Sequence, residues 1–271
     1  MYHLPTSKCL QVFVGHECND EGGGVTSGSF TPDGKFALTI GMDGTMRIWA
    51  PRTGMCRHVF KLYDEGSDMG RPGLTCLAVD GGLDGQLAIA GGEDGKAHVV
   101  HLQGKKVVAT LRHFDTITAG NEEAIITSVE AVGFASKAVN PNWVATGGSD
   151  GTLKIWDLTH NGGQCRQTCA VKDDSDSIST GGITRICWHP TQPLIFASYS
   201  DGAVRLWDAR SGNVVHTLTG GTQDNQINDI SVEVFGTEQG PGSAIAITAN
   251  DDGTVNVFNV DIAAILSQSQ Q

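Results

Sequence analysis

SDGTLKIWD at residues 149–157 and SDGAVRLWD at residues 200–208 are near copies of one pattern. Three looser copies accompany them: MDGTMRIWA at 42–50, EDGKAHVVH at 93–101 and DDGTVNVFN at 251–259. The Asp of each Asp-Gly pair falls at 43, 94, 150, 201 and 252, in steps of 51, 56, 51 and 51 residues. Asp-Gly supplies the positive φ angles that a two-residue hairpin turn demands. Past the turn, Leu153 and Ile155 flank Lys154, and Val204 and Leu206 flank Arg205, the period of a strand with one face buried. A short apolar run precedes each turn, as at 36–40 and 194–198, and another precedes that, as at 183–188. A fourth follows the pair, at 59–60, 107–111 and 214–218. Each repeat therefore predicts four short antiparallel strands, and the chain is expected to be all-β.

Four strands per repeat ending in Trp-Asp resembles the WD40-repeat β-propeller family. The resemblance extends to a set of side chains that, in this family, pins each repeat: a Trp late in the third strand, a Ser or Thr in the second, the turn Asp and a His in the loop leading in. Two repeats carry all four, His16, Thr39, Asp43 and Trp49, and His113, Thr146, Asp150 and Trp156. Asp201 and Trp207 mark a third, while Val100 and Phe258 stand where Trp is expected. Recurrence at the repeat spacing makes these sets structural tetrads rather than catalytic machinery.

The repeats are placed at about 16–60, 61–112, 113–170, 171–219 and 220–260, five full four-stranded repeats in one domain over 1–260, with a flexible tail at 261–271. Aligning Tyr2 with Trp49 and residues 12–13 with 59–60 makes segment 1–15 the outer strand of another repeat. That strand either completes the last repeat or belongs to a preceding one. The family resemblance implies a seven-bladed architecture and hence a shortened chain.

Glycine, at 36 of 271 residues, is about twice its ordinary share and is spread along the chain, as many turns require. No transmembrane run or signal segment stands out, so a cytoplasmic, possibly nuclear, protein is expected. Seven cysteines form no CxxC pair, and His160 completes no zinc spacing with Cys165 and Cys169, so reduced, mostly buried thiols and no metal are expected. The net charge of −12 disfavours direct binding to nucleic acid and favours a basic protein partner.

That charge is unevenly spread. The lead-in loops, about 16–24, 61–73, 113–128, 171–182 and 220–226, hold 13 of the 30 acidic residues and 3 of the 18 basic ones. They carry ten net negative charges, and the rest of the chain carries two. Glu17, Asp20, Glu21, Asp64, Glu65, Asp68, Glu122, Glu123, Asp173, Asp174 and Asp176 are therefore candidates for an acidic binding face, joined by Glu93 and Asp251 beside their turns and Glu130 at the start of a first strand. Met42 and residues 62–63 are candidate apolar anchors.

SVEAVGF at 128–134, the opening MYHLPTSKCLQVFVGH and SFTPDGK at 29–35 resemble a WD-repeat subgroup, that of the angio-associated migratory cell protein and its fungal counterpart, a chaperone of ribosome assembly. The resemblance implies a non-enzymatic chaperone or adaptor that holds a strongly basic segment of a large-subunit ribosomal protein. The alternative is a generic scaffold subunit in a signalling, trafficking or ubiquitin-ligase complex. No GxxxxGK[ST], HExxH or GxSxG pattern is present, and GGGVTSG at 22–28 leads into a strand rather than a phosphate-holding helix. No enzyme activity, cofactor, small-molecule substrate or membrane contact is expected.

Overall fold

In the computed structural model, the residues described are 2–3, 8–17, 24–63, 70–81, 86–114, 127–159, 162–172, 180–220, 225–236 and 242–268. They form two compact units, Met1–Ser128 and Val129–Gln271. Every sheet is a run of consecutive antiparallel strands.

The first unit holds a short hairpin, β1 (Tyr2–His3) with β2 (Lys8–Cys9), and two four-stranded sheets. Sheet one is β3 (Val25–Phe30), β4 (Ala37–Gly41), β5 (Thr45–Ala50) and β6 (Met55–Lys61). Sheet two is β7 (Leu74–Val79), β8 (Leu87–Gly92), β9 (Lys96–His101) and β10 (Lys106–Arg112). Leu38, Ile40, Met46, Phe60, Leu74 and Val100 lie at the centre of its core.

The second unit holds sheet three, β11 (Val129–Phe134), β12 (Trp143–Gly148), β13 (Leu153–Asp157) and β14 (Gln164–Cys169), then sheet four, β15 (Ile183–Trp188), β16 (Leu194–Tyr199), β17 (Ala203–Asp208) and β18 (Val214–Thr219). Sheet five has three strands where four were expected: β19 (Ile227–Phe235), β20 (Ser243–Asn250) and β21 (Val255–Asp261). The chain then turns into helix α1 (Ile262–Gln268) instead of the flexible tail expected from 261 onward. Asp261 caps that helix by accepting the Ala264 N–H at 3.0 Å, and Ile262 and Ile265 are buried against sheet five and its neighbours. Segment 1–15, expected to be an outer strand, instead pairs with itself in β1–β2, and residues 10–17 form no strand.

One irregularity recurs. The first and second strands of every sheet shift register after one residue, at Val25/Ser27, Leu74/Cys76, Val129/Ala131, Ile183/Arg185 and Ile227/Asp229. A bulge adds twist at the end of the strands where the lead-in loop arrives. The Asp-Gly turns sit at that same end. Their glycines, Gly44, Gly95, Gly151, Gly202 and Gly253, have φ between 69° and 83°, the left-handed conformation the hairpin needs.

Candidate functional site

Turn and lead-in loop are tied together by one recurring bond. The residue before the Asp-Gly pair donates its N–H to a carbonyl at the end of the loop: Met42 to Gly24 at 3.0 Å, Glu93 to Gly73, Ser200 to Gly182 and Asp251 to Gln226, each at 2.9 Å. Between neighbouring sheets, a Cβ at Gly202 in the sheet-four turn would come within 2.8 Å of the Asn225 carbonyl in the lead-in to sheet five, so those two backbones meet directly. In sheets one, two, four and five, the end of the loop and the turn thus form one continuous edge.

Sheet one supports this edge with a complete side-chain chain. The Trp49 indole N–H donates to Thr39 Oγ1 at 2.7 Å, and Thr39 Oγ1 lies 2.7 Å from His16 Nε2. His16 Nδ1 lies 3.0 Å from Asp43 Oδ1. With the imidazole as the Nδ1–H tautomer, the Thr39 hydroxyl donates to Nε2 and Nδ1–H donates to the carboxylate, so every polar atom is used. Asp43 also accepts the backbone N–H of Glu17 and of Thr45 and the Thr45 hydroxyl. Burial pushes the Asp43 carboxyl up, but these bonds outweigh it and hold it below the ordinary carboxylate range. Phe13 stacks on Trp49 at 5.3 Å and fixes the approach of the chain to His16.

The order hydroxyl, imidazole, carboxylate is that of a nucleophilic triad. Here the hydroxyl oxygen already takes the Trp49 N–H, and the His16 and Asp43 side chains are 5% and 3% exposed. The arrangement serves as a clamp on the loop.

The other sheets vary the theme. In sheet three Trp156 donates to Thr146 at 2.9 Å, and Asp150 accepts the N–H and hydroxyl of Thr152. His113 is fully buried in the first unit. In sheet four Ala197 takes the Thr position, and the Trp207 indole donates instead to the Tyr199 hydroxyl at 3.1 Å. Arg205 grips Asp201 with two bonds, at 2.7 and 3.1 Å, and lies over the Tyr199 ring. Sequence reading missed Tyr199; a Tyr two residues before Asp201, with Ala at the Thr position, was the available signal.

Of the candidate acidic residues, Asp20, Glu21, Asp64, Glu65, Asp68, Glu122, Glu123, Asp173, Asp174 and Asp176 lie outside the described residues. Glu17 is exposed and pairs with Arg71 at 2.9 Å. Glu93 is exposed, with one carboxylate oxygen taking the Gly73 N–H at 2.9 Å. Asp251 is exposed beside its turn. Glu130 stands half-buried at the β11 bulge rather than in a loop. Of the apolar anchors, Met42 and Tyr63 are half-exposed, with Arg71 5.5 Å above the Tyr63 ring, whereas Leu62 is buried in the core and offers no surface.

Cys9, Cys56 and Cys165 are exposed, against the expectation of mostly buried thiols. Burial pushes the Cys169 thiol up to about 12 and Cys187 up to about 11, so neither is a thiolate at neutral pH.

Comparison with known proteins agrees with this architecture. Residues 52–262 match the family described as Nucleolar protein 10-like, N-terminal domain, a β-propeller, and residues 7–50 match the WD domain, G-beta repeat. The angio-associated migratory cell protein of Canis lupus familiaris is 31% identical over 264 residues, which cover 96% of this chain and 53% of that protein. An uncharacterised WD repeat-containing protein of Schizosaccharomyces pombe is 26% identical over 95% of this chain and 56% of its own. The Target of rapamycin complex subunit LST8 of Bos taurus is 23% identical over 86% of this chain and 60% of its own. The chain spans about half the length of the first two relatives. It belongs to the WD-repeat β-propeller family, in the group described as Nucleolar protein 10-like, N-terminal domain.

Proposed function

We propose that this WD-repeat interaction scaffold uses its acidic lead-in loops to hold a Lys/Arg-rich segment of a ribosomal protein during assembly of the large ribosomal subunit. The observation that carries the reading is the charge segregation: 13 of 30 acidic residues fall in five loops that hold 3 of 18 basic ones. The bond between the described end of the lead-in loop and the turn in sheets one, two, four and five supports it. A basic ribosomal segment, unshielded, adheres to RNA and to itself, and a field of carboxylates both steers and masks it. Likeness to a nucleolar protein's domain supports the same setting, since ribosomal subunits are built in the nucleolus. We place the protein in the cytoplasm, with passage into the nucleus.

Exposed ion pairs contribute only about 0–1 kcal/mol each, so affinity rests on many together. Reversing Asp173, Asp174 and Asp176 to Lys should weaken a fluorescein-labelled Lys/Arg-rich 20-residue peptide by about tenfold or more, and flatten its salt dependence. Unchanged affinity and salt slope, with an unchanged circular dichroism spectrum, would remove the acidic loops from the mechanism.

A further inference from the structure

The strongest surface feature outside the acidic loops carries the opposite charge. In the first unit, a cavity of about 180 Å³ opens between β6 of sheet one and the β9–β10 turn of sheet two. Phe36, Ile48 and Leu102 give it an apolar floor, and Arg57 and Lys105 stand on its rim. A cavity of ~150 Å³ admits a benzene-sized group, so this one takes a single large apolar side chain.

Two observations set this rim apart. Several cations are paired at home: Lys35 with Asp33, Arg47 with Asp43, Arg71 with Glu17, Lys96 with Asp94, Arg166 with Asp157, Arg185 with Asp229 and Arg205 with Asp201. Arg57 and Lys105 are among the described cations without such a partner, and the two meet at one apolar cavity on a chain whose net charge is −12.

The second observation is backbone strain. The residue just before the fourth strand's first partner is Gly54 in sheet one, Gly163 in sheet three and Gly212 in sheet four, with φ of 70°, 75° and 75°. In sheet two that position is Lys105, at φ 49°, alone among the described non-glycine residues in adopting a left-handed φ. A side chain in this conformation carries a steric penalty that glycine avoids, and such outliers gather at binding sites. The ammonium is thus held over the cavity at a cost in stability that the other repeats escape.

We propose that this groove docks an extended segment of a partner protein in which one large apolar side chain is flanked by Asp or Glu. The apolar residue fills the floor, and the flanking carboxylates meet Arg57 and Lys105. Asp33, the one acid in the lining, is already engaged by the Thr31 hydroxyl and by Lys35 at 2.9 Å, which reduces its repulsion. His58 closes the wall edge-on to Phe60, ring centroids 4.5 Å apart; burial and the nearby Lys105 charge lower its pKa, which leaves it a neutral surface at pH 7. The site is separate from the acidic loops and takes a ligand of opposite sign.

The probe is a set of fluorescein-labelled octapeptides with a central Leu, Ile, Phe or Trp between paired Asp or Glu residues, titrated onto the 271-residue chain by fluorescence polarisation. Matched sets carry Ser at the centre or Asn and Gln for the acids. At least one acidic–apolar peptide should bind with Kd below about 1 mM, and its Ser and Asn/Gln counterparts should be about tenfold weaker. Arg57→Gln and Lys105→Gly should each weaken it about three- to fivefold, while Asp33→Asn strengthens it. Lys105→Gly should meanwhile hold or raise the Tm, because glycine relieves the strained φ, and no purely structural role of Lys105 yields higher stability with weaker binding. The proposal falls if no acidic–apolar peptide binds below about 1 mM, or if Lys105→Gly leaves the affinity unchanged. Lys/Arg-rich peptides respond to the acidic loops and not to Lys105→Gly, so the two functional readings fail separately.

Discussion

Sheet one and sheet five solve the same local problem with different residues. In sheet one Thr39 receives the Trp49 N–H and reaches His16. In sheet five Thr248 holds the same place, ten residues before Phe258, which has no N–H to give, and the Thr248 hydroxyl is buried without a partner. Sheet two gives a third solution: Ala90 and Val100 replace both members, and both are fully buried. Removing both partners of a buried hydrogen bond is nearly neutral, whereas removing one strands the other at about 1–3 kcal/mol. Sheet two has lost the bond cleanly, and sheet five has lost half of it. Among the described residues the same sheet has three strands, and Ile247, Val255 and Val257 on them are 44%, 63% and 66% exposed. The repeat pattern therefore tolerates loss of the network but does not make every copy equally firm.

The largest expected effect separates the two sheets most sharply. Trp49→Ala removes a buried ring, its stacking on Phe13 and the donor to Thr39, and should cost about 3–5 kcal/mol by denaturant titration. Trp156→Ala should cost about as much in the second unit. Phe258→Ala should cost distinctly less, because Phe258 is only half-buried and anchors no network. Equal losses in sheets one and five would show that the ring, and not the bond, carries the stability.

Thr39→Val comes next. It keeps the shape but strands the Trp49 N–H and His16 Nε2, and should cost about 1–3 kcal/mol. Amide exchange should rise first in β4, in β5 and at Glu17, whose N–H depends on the clamp.

Asp43 adds a pH dependence to sheet one. Folding lowers the Asp43 pKa below its ordinary value of 3.8. Its contribution is therefore complete above that value and is lost as the pH falls through the lower folded pKa. Denaturation midpoints measured from about pH 6 down to about pH 3 should fall less steeply in Asp43→Asn than in the parent. Parallel curves would mean that the carboxylate charge contributes nothing to the clamp.

Much of this was legible in the sequence, because Asp-Gly turns and period-two strands are local features that recur at a fixed step. The network of sheet one and the Trp156–Thr146 pair of sheet three were legible for the same reason. Tyr199 was not, since a hydroxyl displaced by two residues is found only when the strand's geometry is known. The helix after Asp261 was readable in principle: Asp at the cap and apolar residues at 262, 265 and 266 are helical spacing, hidden by the polar SQSQQ that follows. Lys105 shows itself only once the repeats are aligned on their strands, where it stands in the place of Gly54, Gly163 and Gly212. Its left-handed φ belongs to the local hairpin between β9 and β10, and Arg57 comes to the same cavity from 48 residues upstream.

The smallest effect is also the most diagnostic, because it reverses sign. Thr→Val at position 39 should destabilise, yet the identical change at Thr248 removes an orphaned hydroxyl and should stabilise by up to about 1 kcal/mol. Phe258→Trp offers the complementary repair, since the register of β20 with β21, Ala246 opposite Phe258, matches that of Ala37 opposite Trp49. An indole there lies in register to donate to Thr248 as Trp49 donates to Thr39. Combining the two repairs should give no more than the better one alone, because each removes the same unpaired group and a valine leaves the new indole N–H nothing to meet. Additive gains would show instead that the two changes act through independent apolar packing and not through one shared unpaired group, so that sheets one and five do not differ by a hydrogen bond.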